Sequence, residues 1–162
     1  MIDDGMRSTT QREEIRETND DHRQTMPRKL PLLTPVTAPF WQGGANGMLN
    51  ICCCAECQHL FHPPAPVCPQ CLSPDVGPRA VSGRGKVVSY TVNYQAWTPE
   101  TAVPYVVAII ELAERPGLRF LSNIVGAAPE DIRIGMPVRV HFEQVEDVWL
   151  PLFVLDEAEA QA

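Results

Sequence analysis

Six cysteines fall within twenty residues of this 162-residue chain, and four of them stand as Cys54-x2-Cys57 and Cys68-x2-Cys71, ten residues apart. A Cys-x2-Cys turn lets two thiolates face one ion at about 2.3 Å while neighbouring amides point at the sulfurs, and two such turns complete a tetrahedron. Thiolate charge and softness favour zinc, with a single iron as the competing metal. Four protein ligands leave no position for water, so the expected role is structural, with one zinc ion per chain. A thioredoxin-like redox pair would need a strand and a helix around its CxxC in a βαβ unit, and neither pair has that setting. Cys52 and Cys53 have no CxxC partner in register, because Ala55 and Glu56 stand three residues on. They read as spare thiols, and His59 and His62 are not needed as ligands.

After the cysteines the pattern changes. Val88, Tyr90, Val92 and Tyr94 alternate with Ser89, Thr91 and Asn93, the period of a half-buried strand. Residues 105–112 (YVVAIIEL) and 118–125 read as further strands, separated by the turn Arg115-Pro116-Gly117. Val138, Val140 and Phe142 alternate with Arg139, His141 and Glu143, and residues 149–155 supply a last strand, interrupted at its start by Pro151. Five short strands divided by turn residues predict a small closed barrel. Before the cysteines, residues 30–40 hold three prolines and read as an extended connector, while Phe40-Trp41 followed by Gly43, Gly44 and Gly47 suggests a short helical turn. The expectation is a mainly β chain in four parts. Residues 1–35 form a polar arm, disordered or partly helical; 36–77 hold the short helical segment and a small zinc ribbon. Residues 78–156 form the barrel and 157–162 an acidic tail. A helix over 10–21 would have Ile15 as its only large apolar residue and nothing to dock with.

Charge removes some classes of function. The net charge is −7, whereas a protein that binds a long polyanion needs a positive surplus to release counterions. No apolar run approaches the roughly 20 residues of a membrane span, and the N-terminal residues lack the apolar centre of a signal peptide. A cytoplasmic protein follows, where thiols stay reduced and clustered cysteines point to metal.

The pieces in series resemble one family. Phe40-Trp41, the first knuckle, Phe61-His62-Pro63-Pro64, Cys68-Pro69-x-Cys71, Val81-Ser82-Gly83-Arg84-Gly85-Lys86-Val87 and Ser89-Tyr90-Thr91 follow the order and spacing of the DUF35 family. Gly135-Met136-Pro137-Val138-Arg139-Val140 and Leu150-Pro151-x-Phe153 fit its closing strands. The resemblance implies a rubredoxin-like zinc ribbon followed by a five-stranded OB-fold barrel. It also implies a non-catalytic accessory subunit that scaffolds a thiolase-like enzyme (an acyltransferase, a condensing enzyme or an aldolase) and helps to hold or pass on its acyl-CoA. Gln58 and Leu72 depart from the pattern, since each knuckle is commonly followed by Gly.

Catalytic motifs are missing: there is no GxSxG, HExxH or GxxxxGK[ST]. Gly83-Arg84-Gly85-Lys86 is too short for a nucleotide loop and reads first as a tight turn feeding a strand; its functional reading has Arg84 and Lys86 meeting the phosphates of CoA. His141 reads as a surface histidine, and Glu143, Glu146 and Asp147 as a solvated loop or a docking site beside Trp149. Two other classes compete with the accessory subunit. A single-stranded nucleic-acid module would use Tyr90, Tyr94 and Trp97 as stacking platforms, and an independent hydrolase or thioesterase would need a nucleophile arrangement that the sequence lacks.

Overall fold

A computed structural model describes residues 29–99, 101–156 and 158. The suggested helix over 10–21, most of the polar arm and most of the acidic tail lie outside these residues. Among the described residues the order is α1 (Ala38–Gln42), a 3-10 turn (Gly43–Asn46), then β1 (Leu49–Cys54), β2 (Leu60–Phe61) and β3 (Val76–Val81). The strands β4 (Arg84–Asn93), β5 (Tyr105–Leu112), β6 (Arg119–Ile124), β7 (Pro137–Val145) and β8 (Val148–Leu155) follow. β2, β1 and β3 form a three-stranded antiparallel sheet, and β4-β5-β6-β8-β7 close into a barrel, with β4 pairing back onto β7. That connectivity is the OB-fold the resemblance implied, preceded by the ribbon.

The barrel is filled by the alternate residues of its strands. β5 is the clearest case: Val106, Ala108, Ile110 and Leu112 point inward although the whole run is apolar. β4 breaks its own alternation. A bulge between Val87 and Ser89 makes Val87 the buried residue, after which Tyr90 and Val92 return to the core. Val88 therefore does not share their inner face, and Tyr94 lies beyond the strand, exposed. A bulge adds one residue to one strand, so a simple period-two reading slips at that point.

β8 runs unbroken through Pro151, which pairs with Phe142. The interruption expected there does not occur, for a geometric reason. A residue's N–H and C=O leave a strand on the same side. The Pro151 carbonyl accepts the Ser122 hydroxyl of β6 at 2.7 Å, so the missing N–H faces β6, where the ladder consists of Ile124↔Phe153 alone. No bond to β7 is lost. β8 is also buried on both faces. Phe153 enters the barrel core, while Val148, Leu150 and Leu152 lie under Leu30, Leu33 and Trp41.

Phe40 joins the two parts. It is 2% exposed and packs with Leu49 and Ile51 of β1 against barrel residues that include Phe120 and Phe153. Its ring meets Trp41 edge-on at 4.7 Å, and lies 4.7 Å from His62 and 5.6 Å from Phe120. Phe40 is thus core, and Trp41 packs half-buried against it. Gly44 lets the 3-10 turn sit directly on the barrel, because a Cβ there would collide with Trp149 and Phe142. Trp149 is accordingly half-buried rather than an exposed partner for the acidic turn at Glu146-Asp147.

Candidate metal centre

Cys54 closes β1, and the other three cysteines come from the turns that follow it and that precede β3. The two CxxC turns repeat one geometry. In the first, the Cys54 N–H donates to His59 O at 3.0 Å and the Gln58 N–H to Cys54 O at 3.0 Å. In the second, the Cys68 N–H donates to Ser73 O at 2.9 Å and the Leu72 N–H to Cys68 O at 3.0 Å. Each turn tightens through a left-handed residue, Gln58 at φ 59° and Leu72 at φ 61°. These are the two places where glycine was missing from the expected pattern, so the sequence signal was real: the backbone keeps the conformation and the side chains bear the steric cost.

The four sulfurs lie within 4.8 Å of one another. Cys54 Sγ and Cys71 Sγ are 3.5 Å apart, and Cys57 Sγ and Cys68 Sγ 3.6 Å. A disulfide needs about 2.05 Å, whereas a tetrahedron of 2.3 Å metal–sulfur bonds has edges of about 3.8 Å. The set therefore fits a tetrahedral zinc. An amide points at one sulfur as well, from Gln70 N–H to Cys68 Sγ at 3.4 Å. The thiols perturb one another strongly. Burial raises Cys68, but the backbone amides of Cys71 and Gln70 and the thiols of Cys57 and Cys71 more than offset it and bring it to about 7. At Cys71 an amide at Ser73 lowers the thiol, while the Cys57 sulfur, burial and the Cys54 and Cys68 sulfurs push it up to about 12. Negative charge accumulates poorly on sulfurs this close, and a divalent cation is their natural complement.

Cys52 and Cys53 stay out of the cluster. Both are buried; Cys52 Sγ faces Ala65 O at 3.8 Å, and Cys53 Sγ faces Cys54 O at 3.5 Å. Burial raises the Cys52 thiol. His59 stacks on Phe61 and its Nδ1 meets the Arg115 guanidinium, a link between ribbon and barrel that the sequence did not reveal. Burial and then the Arg115 charge lower its pKa. His62 sits between Phe40 and Phe120, its ring 4.7 and 4.8 Å from theirs, with Nδ1 buried and lacking a hydrogen-bond partner. Burial brings it down to about 4.

Arg84 and Lys86 share the outer face of β4, two residues apart. Arg84 lies opposite Arg139 of β7. Lys86 Nζ lies 3.4 Å from Glu111 Oε1, and Glu111 Oε2 lies 3.7 Å from Arg119 Nε. The Gly117 N–H, then Lys86 and Arg119, hold the Glu111 carboxyl below its ordinary range. Arg84, Lys86 and Glu111 border a hollow of about 320 Å³ with Pro116 and Gly135. Glu111 and Arg119 were not singled out in the sequence, because their approach depends on pairing across three strands. His141 is exposed, as expected. Tyr90 is not a surface platform: its ring packs on the barrel core and its hydroxyl donates to Ile132 O at 3.0 Å. No helix among the described residues is long and apolar enough to cross a membrane.

Two family descriptions match successive stretches of the chain: the rubredoxin-like zinc ribbon domain of ChsH2 over residues 41–77, and the C-terminal OB-fold domain of ChsH2 over residues 78–143. A DUF35 domain-containing scaffold protein of Methanocaldococcus jannaschii is 38% identical over 96 residues, covering 58% of this chain and 67% of that protein. The chain belongs to the DUF35 family. A probable enoyl-CoA hydratase alpha subunit of Thermomonospora curvata is 39% identical over 127 residues, 78% of this chain. The chain spans 39% of that subunit's length, and 38% of the length of a 3-oxo-4,17-pregnadiene-20-carboxyl-CoA hydratase alpha subunit of Mycobacterium tuberculosis to which it is also similar. Among solved structures, the Ltp2-ChsH2(DUF35) aldolase contains a chain that is 38% identical, with a TM-score of 0.70, matched over 78% of this chain and 98% of that one. A DUF35 protein of Sulfolobus solfataricus, 17% identical with a TM-score of 0.55 and matched over 93% of this chain and 100% of that one, shares the fold.

Proposed function

We propose that this DUF35 chain is a non-catalytic subunit of a thiolase-like acyl-transfer or carbon–carbon bond enzyme, and that it scaffolds the partner and helps to hold its acyl-CoA. The observation that carries the reading is the match to the DUF35 chain of a two-protein aldolase over 98% of that chain. Under this reading the partner supplies the reacting cysteine and this chain orders the entrance to that site in the cytoplasm.

The metal reading is part of the proposal. Cys54, Cys57, Cys68 and Cys71 would hold one zinc ion per chain, and the sulfur separations of 3.5 and 3.6 Å support it. Bound there, zinc supplies a structural cross-link with no open coordination position. Arg84 and Lys86 are proposed to meet the phosphates of CoA. A phosphate arriving at Lys86 must compete with Glu111, which already draws on that ammonium, so the contribution of Lys86 is expected to be modest.

Native mass spectrometry of the chain, alone and with candidate thiolase-like proteins from the same organism, tests both parts. A stable hetero-oligomer with one zinc per copy of this chain is the expected result. A chain that stays alone with every candidate would end the subunit reading. Calorimetric titration of CoA into that complex tests the phosphate contact, which is refuted if replacing Arg84 and Lys86 together by Ala leaves the affinity unchanged.

A further inference from the structure

Where the ribbon meets the barrel, a cleft of about 370 Å³ opens between the first knuckle and the β5–β6 turn. That volume is at the lower end of the range for small-molecule sites. Phe61 and Leu118 give it an apolar wall, and its polar lining is His59, His62, Arg115 and Arg119, with no acidic residue. The bias runs against a chain that carries 20 acidic and 13 basic side chains. With the hollow bordered by Arg84 and Lys86 the cleft shares Pro116 alone.

Arg115 is the group in this cleft that the fold leaves unanswered. It is half-buried, and one nitrogen of its guanidinium donates to His59 Nδ1. A tie between ribbon and barrel needs one N–H, whereas a guanidinium carries five. Among the described residues no carboxylate lies within ion-pair distance of it. Glu114, its neighbour in sequence, accepts the Ser82 N–H at 2.6 Å instead. Arg119 is only partly neutralised, because Glu111 is shared between it and Lys86. Since an arginine cannot accept a hydrogen bond, His59 accepts through Nδ1 and keeps its ring proton on Nε2. The histidine therefore adds a donor to the cleft and no negative charge.

We propose that this seam cleft is a phosphate site, in which the Arg115 guanidinium takes two oxygens of a small molecule's phosphate group and Arg119 and His59 supply further donors. The planar fork of a guanidinium matches two phosphate oxygens and is more weakly hydrated than an ammonium. The low-dielectric wall of Phe61 and Leu118 focuses the field of the two arginines into the cleft. A phosphate group carrying two negative charges is drawn more strongly to that pair than a single carboxylate is. A long polyanion is repelled by the net charge of −7, whereas one phosphate meets only the local positive charge. The site is separate from the contact proposed for Arg84 and Lys86, and it stands whether or not the subunit reading holds.

The test follows the imidazole NMR signals of the zinc-loaded full chain at constant pH, in separate titrations with inorganic phosphate, pyrophosphate and CoA. His59 lines the cleft and reports on it, while His141, exposed on β7 and outside the lining, is the control. The expected result is a saturable shift of His59 with His141 unmoved. Arg115→Gln is expected to weaken that response roughly tenfold or more, as loss of a charge-assisted pair does. Arg115→Lys keeps the charge but loses the fork, and its affinity should fall between those of Arg115→Gln and the parent. Replacing Arg84 and Lys86 together by Gln should leave the His59 response as it is. Zinc content and melting temperature equal to the parent's verify that the variants are folded. A response to the inorganic anions assigns the site to free phosphate, and a response to CoA alone assigns it to a phosphate carried by that molecule. A His59 signal that ignores all three probes, or that responds as strongly in Arg115→Gln as in the parent, overturns the proposal.

Discussion

The ribbon and the barrel solve the same problem with different means. The barrel, with α1 and the base of β1, surrounds a continuous apolar core that includes Val87, Ile110, Phe120, Ile132, Val138 and Phe153. The outer half of the ribbon buries little more than Cys52, Cys53, Cys54, Phe61 and Cys68, with Cys57, Ala65 and Val76 at the margin. So few small side chains cannot offset the conformational entropy of the two knuckles and their connecting loops, at roughly 1–2 kcal/mol of backbone entropy per residue. A region with this little apolar volume depends on a cross-link, and a region with the barrel's core does not. The difference teaches where each half is vulnerable.

Metal removal should break the comparison most visibly. Structural zinc sites contribute on the order of 10 kcal/mol of apparent binding free energy. A chelator, or Cys54→Ser, is expected to abolish amide-exchange protection from Cys52 through Val76 while β5 and β8 stay protected. Loss of both regions together would show that the ribbon and the barrel are one cooperative unit. Phe153→Ala is the reverse experiment. It empties a fully buried position in the barrel and should cost about 3–5 kcal/mol, lowering the melting temperature while one zinc per chain is retained. Zinc lost at the same denaturant concentration as the barrel's signal would contradict this.

Acid should act on the junction between the two regions. His62 is held neutral in the folded chain down to about pH 4 by burial between Phe40 and Phe120, but titrates near 6.5 when unfolded. The unfolded state therefore binds the extra proton first, so stability is full above pH 6.5 and falls as the pH drops toward 4, by up to about 3 kcal/mol. His62→Phe should flatten that decline. Zinc thiolates also protonate in acid, so the difference between parent and variant across this window is the quantity to measure. A parallel pH profile in the variant would remove His62 as the cause. The smallest effect is expected at the knuckles. Leu72→Gly relieves a left-handed residue that is exposed and makes no side-chain hydrogen bond, and should stabilise the zinc-loaded ribbon by about 0.5–1 kcal/mol. Gln58→Gly should gain less, because Gln58 also bonds Ala55 O and Arg79.

How far the sequence could be read follows from the range of the interactions involved. The cysteine set, the strand periods of β5 and β7 and the family series are local patterns, and each was legible. The readings that failed were those in which a neighbour changes the meaning of a residue. Pro151 reads as a break until the Ser122 hydroxyl shows which way its backbone faces. Val88 reads as core until the bulge against β5 removes it. Tyr90 could serve the competing nucleic-acid reading as a platform until Ile132 claims its hydroxyl. Glu111 and Arg119 carried no signal at all, since their grouping with Lys86 exists only after β4, β5 and β6 pair.

The pairing of β4 with β7 has a consequence for the order of events as the chain is made. Arg84 meets Arg139 across the barrel's closing seam, so the barrel cannot shut until a segment far down the chain has left the ribosome. The four clustered cysteines of the ribbon, Cys54, Cys57, Cys68 and Cys71, all lie within residues 54–71, and β3, which completes its sheet, ends at Val81. At ordinary elongation rates of about 5–20 residues per second, the nascent ribbon has roughly several seconds to capture its metal while the barrel strands are still arriving. If the four cysteines hold zinc as proposed, the ribbon can therefore complete its metal site before the barrel closes over its own core.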